Sequence, residues 1–192
     1  MLVERSFCAR SVTSPRVISV PSPGSRNVKA GEKKIYQRAL RLLARRNHSR
    51  LELHRKLGRT HPSDFVEEIL DLLEEKGFLN DRTFALERAQ FSRKRRLWGD
   101  LRVSQDLKRF GIDARMIEQV LRQVNQETGE AESLQEAIDL WVNKSGEPNT
   151  LPPLKKLHDR CIRLGYAPNM VRQQLGPYFD NLDWSRKDEH GR

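Results

Sequence analysis

The sequence predicts an all-α protein made of three tandem three-helix repeats. Apolar residues recur at helical spacing through nearly all of residues 32–182, and glycines or capping residues separate these periodic segments. Two of the segments also align with each other, which indicates internal repetition. Aromatic residues make up 7% of the chain and β-branched runs are few, which argues against an all-β fold.

The first repeat contains three predicted helices. Ser49 and Glu52 have the spacing of a capping box and open the second helix, which we expect Gly58 to end. Asp64 and Glu67 repeat this spacing and open the third helix. The first helix has one apolar face, formed by Ile35, Ala39, Leu42 and Leu43.

The second repeat is bounded by similar signals. Asn80 or Asp81 caps the fourth helix, Gly99 introduces the fifth, and Asp113 caps the sixth after a turn at Gly111. The apolar positions of these helices include Phe84, Ala85, Phe91, Val103, Leu107, Ile117 and Val120.

The third repeat contains a longer connection. Residues 143–153 are rich in Gly and Pro and predict a loop between the seventh and eighth helices. Gly165 ends the eighth helix, and Pro168 suits the first turn of the ninth.

An alignment at an offset of 54 residues supports the repeat. It places Phe110 on Leu164 and Gly111 on Gly165, and Leu57-Gly58 fits the same pattern after two extra residues are allowed in the following turn. We expect each of these glycines to take the left-handed conformation that ends a helix. The predicted repeats span residues 32–79, 80–127 and 128–182.

Residues 1–31 form a predicted disordered tail that is rich in Ser and Pro and basic, and residues 183–192 form a second tail. The Arg/Ser bias of the first tail also fits an organelle transit peptide, which we keep as an alternative to a bacterial extension. The chain has no apolar run of eighteen residues, so we expect no membrane span. Two distant cysteines, Cys8 and Cys161, predict a reducing compartment, which is typical of a cytoplasmic protein.

The chain is strongly basic, with 36 Lys+Arg against 26 Asp+Glu and a net charge of +10. Such an excess attracts polyanions or acidic protein surfaces. Two zones contain eight cations each, at residues 38–59 and 88–109. The candidate contact residues in these zones are Arg45, Arg46, Arg50, Arg55, Arg93, Lys94, Arg95, Arg96, Trp98, Arg102, Lys108 and Arg109.

For any one of these arginines taken alone, the solvated face of an amphipathic helix is the favoured interpretation. The run Arg93–Arg96 favours function, because four adjacent like charges repel each other. Trp98 can either stack on a base or partner side chain, or seat its loop in the core.

Signals of catalysis are missing from the sequence. The histidines lack metal-ligand spacing, and no Gly-rich phosphate loop or nucleophile motif is present. We therefore expect a protein without enzymatic activity, cofactor or metal.

Three segments resemble the RecX family of RecA regulators: Ala39–Leu57, Leu73–Ala85 and Gly99–Gly111. This resemblance implies a curved, elongated helical array that binds the RecA recombinase and its filaments on single-stranded DNA. It further implies inhibition of strand exchange, ATP hydrolysis and co-protease activity, and hence a role in DNA repair, recombination and the SOS response. Asn80 stands where the family commonly has an acid, and the third repeat matches more weakly.

Two other functions remain open on the sequence alone. Three-helix units with a glycine turn resemble helix-turn-helix folds, so the chain can instead bind single- or double-stranded DNA directly. It can also be a scaffold without any connection to nucleic acid. In each case we expect a monomer.

Overall fold

The computed structural model describes residues 30–182, and this range forms nine α-helices and no β-strand. The all-α fold class is thus confirmed. The predicted tails lie outside the described residues, except that α1 already begins at Ala30. The helices are α1 (Ala30–Leu43), α2 (Arg50–Leu57), α3 (Ser63–Glu75), α4 (Asp81–Arg96), α5 (Asp100–Arg109), α6 (Ala114–Glu127), α7 (Glu130–Ser145), α8 (Leu151–Leu164) and α9 (Pro168–Asp180).

Three hydrophobic clusters form the core of the described chain. The first lies among α1–α3, the second among α4–α6 and the third among α7–α9, and we call these the first, second and third units. The extensive helix–helix contacts all lie within a unit. The units are therefore joined mainly through helix ends and turns. This arrangement supports the three-repeat interpretation, while the domain boundaries themselves stay a prediction.

Most capping predictions are confirmed, because the side chains of Ser49, Asn80 and Asp113 each accept a hydrogen bond from the first turn of their helix. Asp64 was the wrong choice of cap: α3 begins at Ser63, after Pro62, and no side chain caps it.

Two other local predictions are wrong. Gly58 follows the end of α2 as expected, but its φ of −64° is right-handed and not left-handed. Its N–H donates to the carbonyl of His54 and continues the helical geometry. The loop was predicted at residues 143–153 but spans only residues 146–150, because α7 continues to Ser145 and α8 begins at Leu151.

Both joints between units place a carboxylate on the start of a helix. The backbone N–H of Arg50, the first residue of α2, donates to Asp81 of the second unit at 2.7 Å. The N–H of Asp100, the first residue of α5, donates to Glu130 of the third unit at 2.8 Å. The first N–H groups of a helix lack partners within it and therefore attract a carboxylate, although burial outweighs this effect and raises the pKa of both Asp81 and Glu130.

A second contact also recurs at both joints. Arg55 of α2 donates to the backbone carbonyl of Arg109 at 3.4 Å, and Arg102 of α5 donates to the carbonyl of Arg163 at 2.7 Å. Each acceptor lies two residues before the glycine of a helix–helix turn. The second helix of one unit therefore reaches the backbone of the next unit in the same way twice.

The turn glycines themselves press against the preceding unit. Gly111 and Gly165 have φ +80° and +90°, as the alignment predicted for them. A Cβ atom on Gly111 would lie 2.8 Å from the Leu51 side chain, and one on Gly165 would lie 2.5 Å from the backbone N of Arg102. Neither joint has room for a larger residue at its turn.

The loop between α4 and α5 joins the second unit to the third. Leu97 ends α4 with φ +52°, in the left-handed region that non-glycine residues rarely adopt. Its carbonyl accepts a hydrogen bond from the Tyr166 hydroxyl at 2.9 Å. The N–H of Gly99 donates to Leu164 at 2.8 Å, and the N–H of Leu101 donates to Gly165 at 3.2 Å. These bonds hold the loop that presents Trp98.

Candidate functional site

Trp98 lies between two arginines. The guanidinium carbon of Arg102 is 4.4 Å from the centroid of the Trp98 ring, and that of Arg96 is 4.8 Å from it. These are cation–π distances, so the ring helps to hold two positive charges close together. The indole also packs against the core of the second unit. This packing supports the predicted role of Trp98 in seating its loop, and stacking on a base or a partner side chain stays a prediction.

A cleft of about 330 Å³ opens beside Trp98, between the second and third units. Asp106 is the one carboxylate that lines it, and Arg88 holds that carboxylate at 2.5 Å. The cleft therefore keeps a positive potential. Its cationic lining comes from Arg102, Arg109 and Arg163.

These cations form one connected surface that crosses both joints. Arg55 of the first unit contacts the backbone of Arg109, and Arg102 contacts the backbone of Arg163 in the third unit. We call this set the arginine surface. It consists of Arg96, Arg102, Arg109 and Arg163 around Trp98 and its cleft, together with Arg55, which contacts the Arg109 backbone. Such clustering raises the local concentration of anions and speeds encounter with them in a salt-dependent way.

Arg93 does not belong to this surface, because its side chain is only 1% exposed. It forms an ion pair with Asp100 and donates to Asn125 at 3.0 Å and to the Trp98 carbonyl at 2.8 Å. The prediction that Arg93 contacts a partner is therefore wrong. Successive residues of a helix are about 100° apart, so four adjacent cations cannot share one face.

Arg46 is half-exposed but already paired. Its guanidinium binds the Glu52 carboxylate at 2.5 Å, and Lys56 binds the same carboxylate at 3.0 Å. Burial alone would raise the pKa of Glu52, but the hydrogen bonds from Arg46 and Lys56 outweigh it and lower that pKa. This cluster stabilises the start of α2 and weakens the case for Arg46 as a partner contact.

Arg50 is neutralised by the acidic face of α3. It binds Glu67 at 2.5 Å, Asp71 at 2.7 Å and Glu74 at 2.9 Å. Burial would lower the pKa of the Arg50 guanidinium, but these three carboxylates reverse the effect and raise it. Arg50 thus joins α2 to α3 and supplies little free positive charge.

The remaining predicted cations lie on the outside of the molecule. Arg45, Lys94, Arg95 and Lys108 are all exposed. They can contribute to the potential around the arginine surface, and their role as contacts stays a prediction.

Arg163 was not among the predicted contact residues, because it lies in the third unit outside both basic zones. A signal for it was present, because Arg163 precedes Gly165 by two residues as Arg109 precedes Gly111. The repeat alignment placed these arginines at equivalent positions, whereas the charge count alone did not.

The described residues offer no site for a metal. In residues 30–182, no group of three His, Cys, Asp or Glu side chains can hold an ion. Burial lowers the pKa of His48, whose Nε2 lies 3.0 Å from the Lys56 ammonium.

Within residues 30–182, no helix has the length and hydropathy needed to cross a bilayer.

Comparison with solved structures shows the same fold. The crystal structure of RecX from Lactobacillus salivarius superimposes with a TM-score of 0.67 at 18% identity and covers 78% of this chain and 97% of that one. A crystal structure described as regulatory protein RecX also has a TM-score of 0.67, at 21% identity, and covers 77% of this chain and 73% of that one.

Sequence comparison shows the family. A family model described as RecX, first three-helix domain, matches residues 36–78. The regulatory protein RecX of Xanthomonas axonopodis pv. citri is 34% identical over 139 residues, which cover 71% of this chain and 82% of that protein. The regulatory protein RecX of Halorhodospira halophila is 40% identical over 93 residues, covering 48% of this chain and 57% of that protein. The chain therefore belongs to the RecX family of regulatory proteins.

Proposed function

We propose that this chain binds the RecA recombinase and its filaments on single-stranded DNA, and inhibits its recombinase, ATPase and co-protease activities. Family membership supports a regulatory role. The observation that carries the proposal is the arginine surface, which connects all three units through contacts that cross both joints. A repeating array with cations at successive joints suits a repeating polymer.

The mechanism is steric and electrostatic. Several weak contacts on one array gain avidity when the target presents identical subunits, because each further contact is intramolecular. An array that spans adjacent recombinase subunits restricts the motions that strand exchange requires. The protein then acts without catalysis, as a cytoplasmic monomer.

RecA-dependent ATP hydrolysis on single-stranded DNA, measured with increasing protein, tests this proposal. We expect inhibition by the wild type and at least about tenfold weaker inhibition by Arg96→Glu/Arg109→Glu, which reverses two exposed charges of the arginine surface. Arg82→Glu/Arg115→Glu is the matched control, because both residues are exposed on other helix turns. No inhibition by the wild type up to micromolar protein contradicts the proposal.

Direct DNA binding is the second candidate, and the paired guanidiniums on Trp98 favour it because they suit phosphate oxygens. Tight binding to naked DNA at physiological salt, with a steep salt dependence, supports this candidate. Binding that requires the recombinase supports the first. A scaffold without any nucleic-acid connection predicts that Lys94→Ala/Arg95→Ala/Arg96→Ala leaves its function unchanged.

A further inference from the structure

The third unit has a groove on the side of α8 and α9 away from its core. The groove has a volume of about 440 Å³ and is lined by Leu151, Lys155 and His158 of α8 with Arg172 and Phe179 of α9. Leu151 is 49% exposed and Phe179 is 38% exposed. The groove thus combines an apolar floor with a cationic rim, and none of its lining residues is acidic.

The position of this groove corresponds to a joint in the second unit. The offset of 54 residues that aligns the two turns places Phe179 on Asn125. Asn125 donates to Asp100 at 2.8 Å, and the backbone N–H of Asp100 donates to Glu130 of the third unit. The groove of the third unit therefore lies on the side that corresponds to the surface by which the second unit contacts the third.

The internal joints indicate what chemistry suits such a side. At each of them the arriving unit supplies a carboxylate, Asp81 or Glu130, to the start of the second helix of its predecessor. The start of α8 has no acidic residue in its first turn, and the Thr150 side chain makes no capping hydrogen bond. Pro152 and Pro153 in the first turn of α8 have no N–H to donate, so a carboxylate from outside is attracted here by the cations Lys155 and Arg172.

We propose that this groove docks an acidic segment of the recombinase, with one large apolar side chain seated between Leu151 and Phe179 and carboxylates on the cationic rim. This inference rests on the proposed function and names a second contact for it, separate from the arginine surface. Two separate contacts on the array give the avidity that a filament of identical subunits allows.

Charge and apolar variants of the groove test the contact on intact protein and recombinase filaments. We expect Lys155→Glu/Arg172→Glu and Phe179→Ala each to weaken filament binding about tenfold or more, since both the rim and the floor contribute. Lys156→Glu/Arg160→Glu is the charge-matched control on exposed positions of α8, and Leu140→Ala is the control for an exposed apolar residue. All of these side chains are exposed, that of Phe179 at 38%. Circular dichroism of each variant checks that it is folded.

If the groove variants bind as tightly as the wild type, the groove proposal is overturned while the proposed function stands. If the wild type itself does not bind the filament, both proposals fail. These two results are distinct, because only the second removes inhibition by the wild type.

A photocrosslinking residue in place of Leu151 identifies the occupant. Crosslinks to a recombinase segment that is rich in Asp or Glu and contains a large apolar residue support the proposal. Crosslinks to a second copy of this chain, to residues 183–192 of the same chain, or to a basic or uncharged segment overturn it. Sedimentation of the wild type at increasing concentration detects the second-copy outcome independently.

Discussion

Gly165 lies against Arg102 so closely that a Cβ atom on the glycine would be 2.5 Å from the arginine backbone N. This contact joins the third unit to the second, and the Arg102 side chain meanwhile stacks on Trp98. The spacing of the two units and the position of the arginine surface therefore depend on the same point of backbone contact.

Alanine substitutions at three glycines separate the cost of a strained backbone from the cost of a steric clash. Gly77 has φ +72° and open space around it, and its turn has the same backbone hydrogen-bond pattern as the Gly165 turn, so Gly77→Ala reports backbone strain alone, about 1 kcal/mol. Gly99 has φ −72° but would clash with the Gly165 backbone, so Gly99→Ala reports the clash alone, about 2 kcal/mol. Gly165→Ala incurs both costs and should be the least stable in urea unfolding. Equal midpoints for the three variants would contradict the close packing.

Arg93→Ala should be far more damaging than the change at its neighbour Arg95. Removing Arg93 leaves Asp100 and Asn125 without their shared cation, at a cost of about 3 kcal/mol. Arg95 is exposed, so Arg95→Ala should change the free energy of unfolding by no more than about 0.5 kcal/mol. Chemical denaturation of the two variants measures the difference, and similar losses would show that Arg93 is not an internal cation.

Asp81→Asn should change how stability depends on pH. Burial raises the pKa of Asp81 above 3.8, so the native state binds its proton more tightly than the unfolded state. The resulting stability is present below the unfolded pKa and is lost as pH rises through the native pKa. The asparagine side chain cannot titrate, so the variant should gain stability relative to the wild type between about pH 3.5 and pH 7. Urea unfolding at several pH values checks this slope.

Glu52→Gln should show the opposite dependence. The pKa of Glu52 lies below 4.5 because hydrogen bonds from Arg46 and Lys56 outweigh its burial, so its stabilising effect is present above that value and lost as pH falls. The variant should be about 1 kcal/mol less stable at pH 7 and should approach the wild type near pH 3. A constant difference across this range would rule out an electrostatic role for the Arg46–Glu52–Lys56 cluster.

Helical periodicity was sufficient to predict the fold class, because each helix buries one regular apolar face within its own unit. Local capping chemistry located Ser49, Asn80 and Asp113 correctly. It failed at Asp64, because α3 begins one residue earlier, at Ser63 after Pro62, and has no side-chain cap.

The candidate site was less predictable, because charge counts along a sequence do not show which cations meet carboxylates in space. Arg50 is separated from Asp71 by 21 residues, yet the two form a 2.7 Å contact across α2 and α3. Arg93 faces inward although its three basic neighbours do not. Arg163 joins the surface only because the third unit repeats the geometry of the second.

Each joint pairs backbone groups with side chains: a helix-start N–H with a carboxylate, and a carbonyl with an arginine. Two of these side chains, Arg55 and Arg102, also belong to the arginine surface. The same residues thus hold neighbouring units together and supply the charge that attracts an anion, so a substitution that changes what the protein binds at these positions also changes how its units are spaced.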